Sequence, residues 1–347
     1  MSTGSRAALL AVAFLARLPL PDAHADAGTA TACAEYAPPE RTGKVPSELP
    51  ELSGLAASRV HDGIYWAHND SGNAFEVFGI EKTGKIRARI ELTGAKARDI
   101  EDIAVGPCGP GDSSSCIYLG DIGDNRYRHR ESRIYRVPEP PALEDQSIRA
   151  DVLVFRWSDG PQNAEAMVVD PRSATVFLWT KESRSLGIVH RLESLQPGKT
   201  GRTVVVKRIQ PDEPGAVMPT GADVHPSGDR IIIRTYSQAW ELRREDASNL
   251  EQVLETKPIR VPAPRQGQSE AVSYTRDGRG YILGSEGTGS ALYAVGCEDS
   301  GTSRSSSSSS ARTHAAVSSG RSGMRARKSS RFSPTTPEER FATSISW

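Results

Sequence analysis

Three carboxylates, Asp102, Glu165 and Glu270, stand at the second position of a short apolar segment that the chain repeats. Carboxylates gathered in one place have two outlets: they raise one another's pKa, or they share a cation. Hard oxygen donors without paired Cys or His select Ca2+ over zinc or copper. Solvated acids that bind nothing are the plain alternative. A second set of polar residues closes the partner segments: His68, Asp121, Asp124, Lys181 and Arg234. Lys181 and Arg234 suit an anionic group, one as a point charge and the other as a bidentate fork, or else each pairs with a neighbouring acid. Asp121 and Asp124 are expected to orient a water, and His68 to meet the ligand on the same face. The chemistry expected is Ca2+-dependent hydrolysis of a small phosphorylated anion, with a carboxylate as base. A non-catalytic extracellular binding module and a two-carboxylate glycosidase are the competing expectations. The chain has no G-x-S-x-G elbow, no H-E-x-x-H, no Walker loop and no dinucleotide fingerprint after a strand, and only 7 His.

The elements that must position these residues are strands. The opening segments span 53–58, 101–106, 164–169, 220–225 and 269–274, and each is followed by a second apolar run at 64–70, 117–124, 176–182, 231–236 and 281–286. Taking the second opening residue gives 54, 102, 165, 221 and 270, with spacings of 48, 63, 56 and 49. A strand repeat of about 40–50 residues predicts a β-propeller of four-stranded antiparallel blades. Further runs supply two more strands to each of the first four repeats. The last repeat lacks its outer strand, which the segment 36–45 is expected to provide, closing the ring. The prediction is an all-β, five-bladed propeller over 33–297; six blades is the alternative, because the insert 125–151 has room for more structure. Turns rich in Asp, Gly and Pro between first and second strands put the hairpins on one face, and the polar residues named above on the other.

Bulk composition bounds the partners. Lys plus Arg and Asp plus Glu each number 43 in 347 residues, so no net field favours nucleic acid or an anionic membrane. A small anionic ligand and a monomer are expected. Residues 1–25 read as a signal peptide, with Arg6 ahead of an apolar run and Ala23 and Ala25 at a small-x-small cleavage site. No other run is apolar and long enough to span a bilayer. The 4 Cys fit an oxidising compartment, secreted or periplasmic. Cys108 and Cys116 bracket one loop, while Cys33 and Cys297 flank the repeats, although three pairings are possible. Residues 298–347 are Ser- and Arg-rich and are expected to be disordered.

Two resemblances bear on this. Residues 268–287, where a Glu opens an inner strand and D-G-x-G-Y follows, and residues 161–170 resemble segments of the β-propeller phytases. That likeness implies Glu165 and Glu270 as calcium ligands at the channel mouth. S-G-L-A from Ser53, H-N-D-S-G from His68, D-x-E-D-I-A from Asp99 and Y-L-G-D-I-G-D-N from Tyr118 are similar to uncharacterised secreted bacterial propellers, which implies the fold without an activity.

Overall fold

The computed structural model describes residues 32–70, 72–212 and 218–298. The expected signal peptide (1–25) and all but the first residue of the expected tail (298–347) lie outside them.

Strand β1 (Glu40–Lys44) is the first of the described strands and is used last. The first unit is an antiparallel run of β2 (Leu52–Ala57), β3 (Ile64–Asn69), β4 (Glu76–Glu81) and β5 (Ile86–Thr93). The second begins with β6 (Ile100–Pro107), β7 (Ser115–Asp121) and β8 (Ser132–Pro138). The chain then leaves it for β9 (Gln146–Arg149), which lies parallel on the edge of β5, and returns as β10 (Asp151–Arg156) beside β8. The third unit is β11 (Ala164–Val169), β12 (Val176–Thr180), β13 (Ile188–Glu193) and β14 (Gly201–Arg208). The fourth is β15 (Pro219–Val224), β16 (Arg230–Thr235) and β17 (Ala239–Arg243), then the short helix α1 (Leu250–Leu254) and β18 (Ile259–Val261). The last is β19 (Ser269–Tyr274), β20 (Gly280–Ser285) and β21 (Ala291–Gly296), completed by β1. A short parallel pairing of β10 with β14, at Phe155–Gly201 and Arg156–Arg202, fuses the second and third units into one eight-stranded sheet.

Burial grades from inside to outside. β6, β11 and β19 are buried at every residue, whereas β5 and β14 alternate as a half-covered strand must. Each opening strand sits at a free end of its sheet and packs beside the opening strands of the units before and after it. Apolar cores fill the gaps between units. Trp66 and Ile103 belong to the core between the first and second, Phe155 and Met167 to the next, and Trp179 and Trp240 to the one after. Tyr274 and Tyr281 lie between the fourth and last, and Leu55 and Ile282 close the circuit between last and first. This is the radial layout of a β-propeller.

The seam forms where it was expected. β1 pairs with β21 from Glu40–Ala294 to Lys44–Ala291, and Tyr36 bridges to Cys297. Disulfides join Cys33 to Cys297 and Cys108 to Cys116. Tyr36 Oη donates to the buried Glu241 of the fourth unit at 2.7 Å, and Arg230 Nη1 donates to the Cys33 carbonyl at 2.7 Å. Residues 125–151 do carry extra structure: β9 covers a sheet edge. Among the described residues no helix is long and apolar enough to cross a membrane.

Replacing Cys33 and Cys297 together by Ser frees the seam from a bond spanning 264 residues. Urea unfolding should show a loss of about 2–5 kcal/mol, and a Cys108→Ser, Cys116→Ser variant should lose less, because its closed loop is short.

Candidate functional site

Each opening strand carries one extra residue against its partner. The register jumps between Leu52 and Gly54, Ile100 and Asp102, Ala164 and Ala166, Pro219 and Gly221, and Ser269 and Val272. A bulge turns the side chain it inserts away from the regular alternation. The structurally equivalent residues are therefore Ser53, Glu101, Glu165, Thr220 and Glu270. The sequence column running through Gly54, Asp102 and Gly221 lies one residue too far along in three units. Two of the bulge residues are hydroxyls that tie neighbours together: Ser53 Oγ donates to the Glu101 carbonyl at 2.7 Å, and Thr220 Oγ1 to the Ser269 carbonyl at 2.8 Å. The other three are glutamates at the channel mouth.

Glu101 meets Asp70, from the end of β3, and Asp99, from the turn before β6. One carboxylate oxygen from each lies within 4.8 Å of the other two. Glu101 is buried, and burial first, then Glu165, Asp70 and Asp99, pushes its pKa well above the usual carboxylate range. A Cβ at position 123 would overlap Glu101 Oε1 and Asp99 Oδ2, so any side chain there would displace both carboxylates. Glu165 receives Lys181 Nζ at 2.8 Å and the Asn163 amide at 3.2 Å on the same oxygen, yet burial still raises it. Glu270 is pushed up to about 9 by burial, then by Glu165 and Glu286. Burial pulls Lys181 down, but Glu165 outweighs it and the net shift is upward; its ammonium also lies 5.4 Å from the centre of the Tyr236 ring. Lys181 is the cation that acts on Glu101, Glu165, Glu270 and Glu286 alike. Acids in this excess either hold protons or take up a hard divalent cation.

The other expected site residues lie elsewhere. Asp102 is buried below the mouth with both oxygens occupied: Oδ1 accepts from Ile103 N–H at 2.8 Å, and Oδ2 from Met167 N–H at 2.8 Å and Ala222 N–H at 3.2 Å. It latches β6 to β11 and β15, which corrects its expected role as a ligand at the mouth. Asp223 repeats the device two units further round the ring. Its Oδ1 accepts from Val224 N–H at 2.8 Å, and Oδ2 from Tyr274 N–H at 2.8 Å and Ser273 Oγ at 3.0 Å. Ser273 Oγ in turn accepts from Ala57 N–H at 2.9 Å, carrying the chain of bonds to β2. Burial raises both acids against these donors, Asp102 well above its ordinary value and Asp223 to about 7.

Asp121 accepts from Tyr135 Oη at 2.8 Å and from the backbone N–H of Arg98 and Asp99 at 3.3 and 3.2 Å. It holds the turn that presents Asp99. Asp124 accepts from His129 N–H at 2.7 Å and, through its own N–H, donates to Asn163 Oδ1 at 2.7 Å. Both act as supports, filled by protein donors. His68 is buried, with Nδ1 2.9 Å from the Asn69 carbonyl and Nε2 without a partner among the described residues. Burial takes its pKa down to about 4. Arg234 is fully buried; Nη2 donates to the Pro264 carbonyl at 3.2 Å, and burial lowers it to about 10. The structure thus groups Glu165, Glu270 and Lys181 at the mouth, and sets Asp102, Asp121, Asp124, His68 and Arg234 around or beneath it. Glu101, Asp70, Asp99 and Glu286 complete the group; D-x-E-D and H-N-D carried three of them in plain view.

No family model and no curated protein matches the chain. Its backbone is similar to that of a gluconolactonase from Xanthomonas campestris, described as important in glucose secondary metabolic pathways. Identity is 11% and the TM-score 0.39, over 76% of this chain and 96% of that one. A likeness so distant does not bear on which residues act.

Latch and mouth separate experimentally. Asp102→Ala leaves the Met167 and Ala222 N–H groups buried without acceptors and should cost about 3–5 kcal/mol in urea unfolding. Glu101→Gln should stabilise the protein in EDTA at neutral pH, since the amide is neutral in both folded and unfolded chains, whereas Glu101 must take up a proton to enter the crowded, buried cluster.

The pH dependence follows from Asp223. Its folded pKa of about 7 exceeds the unfolded value near 3.9, so its contribution to stability is complete below about pH 4 and is lost as pH rises through 7. The difference in urea midpoint between wild type and Asp223→Asn should therefore move against wild type from pH 4 to 8; a constant difference would show that Asp223 stays ionised.

Proposed function

We propose that the chain is an exported, monomeric, five-bladed propeller that binds Ca2+ at its channel mouth and hydrolyses a small anionic ester there, phosphoesters foremost. The convergence of Asp70, Asp99 and Glu101 on a common point carries this reading. Five inter-unit cores that alternate with the four-stranded units support the blade count. Two disulfides support export.

Asp70, Asp99 and Glu101 would hold the ion, with Glu165 and Glu270 beside it. A bound Ca2+ would supply charge neutralisation, a seat for the anionic oxygen of the ester and a more acidic water. Lys181 draws Glu165 toward its ionised form, which fits it to accept a proton. Burial, then Glu165 and Glu286, pushes Glu270 toward its protonated form, which would make it the proton donor to a leaving group. A base and an acid are set apart by their surroundings, and here Glu165 has a cation at 2.8 Å whereas burial and neighbouring acids dominate at Glu270. A non-catalytic binding role is the second reading. It is favoured by the protein donors that fill Asp121 and Asp124, and by the burial of Arg234 away from any ester.

Ca2+ at one hundred times its Kd should stabilise wild type by about 2.7 kcal/mol in a thermal-shift titration, and Glu101→Gln should lose most of that. Phosphoester turnover should disappear in EDTA and return with Ca2+. A chelator-insensitive melting temperature would remove the metal reading; a Ca2+ response without turnover of any phosphoester or carboxylic ester would leave the binding module.

A further inference from the structure

The hairpin end of the channel, opposite the acidic mouth, holds a cavity of about 170 Å³. Its lining includes Arg59, Asp223, Thr275 and Arg276, with Pro171 and Pro226 as apolar walls. The chemistry there differs from that of the mouth. Arg59 follows β2, where its backbone N–H donates to both Glu139 oxygens at 3.2 and 3.3 Å. Its side chain is half-buried and lies within electrostatic reach of Asp223, Glu139, Tyr118 and Asp170. That set comes from several units, so the guanidinium reaches inward over the channel end. Yet no carboxylate oxygen among the described residues lies within the 4.0 Å of an ion pair, and its five donors make no hydrogen bond there. Asp223 forms the floor. It keeps part of its surface open to the cavity, and its Oδ1 accepts a single N–H, from Val224. An oxygen of that kind has room for one more donor.

We propose that this shaft is a second binding site, for a small hydroxy- or amino-carboxylate whose carboxylate sits on Arg59 and whose hydroxyl or ammonium donates to Asp223. The size fits: a protein cavity of about 150 Å³ accommodates benzene, so a ligand of about five or six non-hydrogen atoms fills this one. The charge order fits as well. A free anion alone satisfies Arg59 but faces the carboxyl of Asp223, whereas a ligand with a donor at its other end satisfies both. Arg276, exposed at the rim, adds positive charge at the entrance. The site is independent of the cation at the mouth, and it places a ligand directly on Asp223, one of the two aspartates that hold the ring together.

The test is a thermal-shift titration in EDTA with glycolate, acetate and ethylene glycol as probes. Wild type should show a saturable rise with glycolate and a rise with acetate at about tenfold higher concentration, because acetate lacks the donor to Asp223. Ethylene glycol should give none. Arg59→Gln should lose both responses, whereas Glu101→Gln, altered only at the mouth, should keep them. No saturable rise with glycolate, or an equal rise in Arg59→Gln, overturns the site. Equal responses to acetate and glycolate remove Asp223 and overturn the proposal as stated. The wild-type comparison stands even where Arg59→Gln fails to fold.

Discussion

Among the described residues, the inner strands of this protein have no strand partner on the side that faces the axis. Each of β2, β6, β11, β15 and β19 ends its sheet, so its outward N–H groups must be satisfied by something else or the buried edge would be costly. Side chains do it, in sequence round the ring. Asp102 takes amides of β11 and β15, Asp223 takes one of β19, Ser273 takes one of β2, and the Ser53 hydroxyl reaches β6. The apolar cores supply the bulk of the cohesion, but they are non-directional. These few bonds fix how the units sit against one another.

The acidity of the mouth follows from the same construction. A bulge at the start of each opening strand turns its inserted residue toward the mouth or toward the next unit. Where that residue is Ser or Thr it becomes another tie. Where it is Glu it joins a cluster with more negative charge than Lys181 can balance. Gly123 lets the cluster close, and Asp121 and Asp124 hold the turns that present Asp99 and Asn163. The same axis thus meets carboxylates at one end and, at the other, a guanidinium without an ion pair among the described residues, with the structural aspartates between them.

Much of the fold was legible because each repeat satisfies local rules. Apolar runs of strand length, turns such as 61–63 and 276–278, and a last repeat short of one strand were sufficient to anticipate the sheets and the closing strand. Cys33 and Cys297 lie at the two ends of that repeat array, which is why their pairing could be anticipated. β9 and α1 were not: residues 146–149 carry one apolar side chain, Ile148, among polar ones and pair on the free edge of β5, and α1 is too short to show a helical period. In the site, Glu165 and Glu270 were legible, since their repeats align without ambiguity. Asp102 was misplaced beside Glu101, because adjacent acids in a strand point to opposite faces and one inserted residue exchanges them.

Sequence alone therefore determined the strands of the repeats, their order within each repeat, the seam and the residue types that reach the channel, because these depend on periodicity and turn chemistry within a few residues. Only the tertiary structure decided which of two neighbouring acids faces the mouth and which is sealed below it. It likewise decided that Lys181 joins Glu165, that Arg234 is buried, and that the Arg59 guanidinium stands over the far end with no ion pair among the described residues. Those outcomes depend on bulge register and on contacts between units far apart in the chain, and no local pattern encodes either.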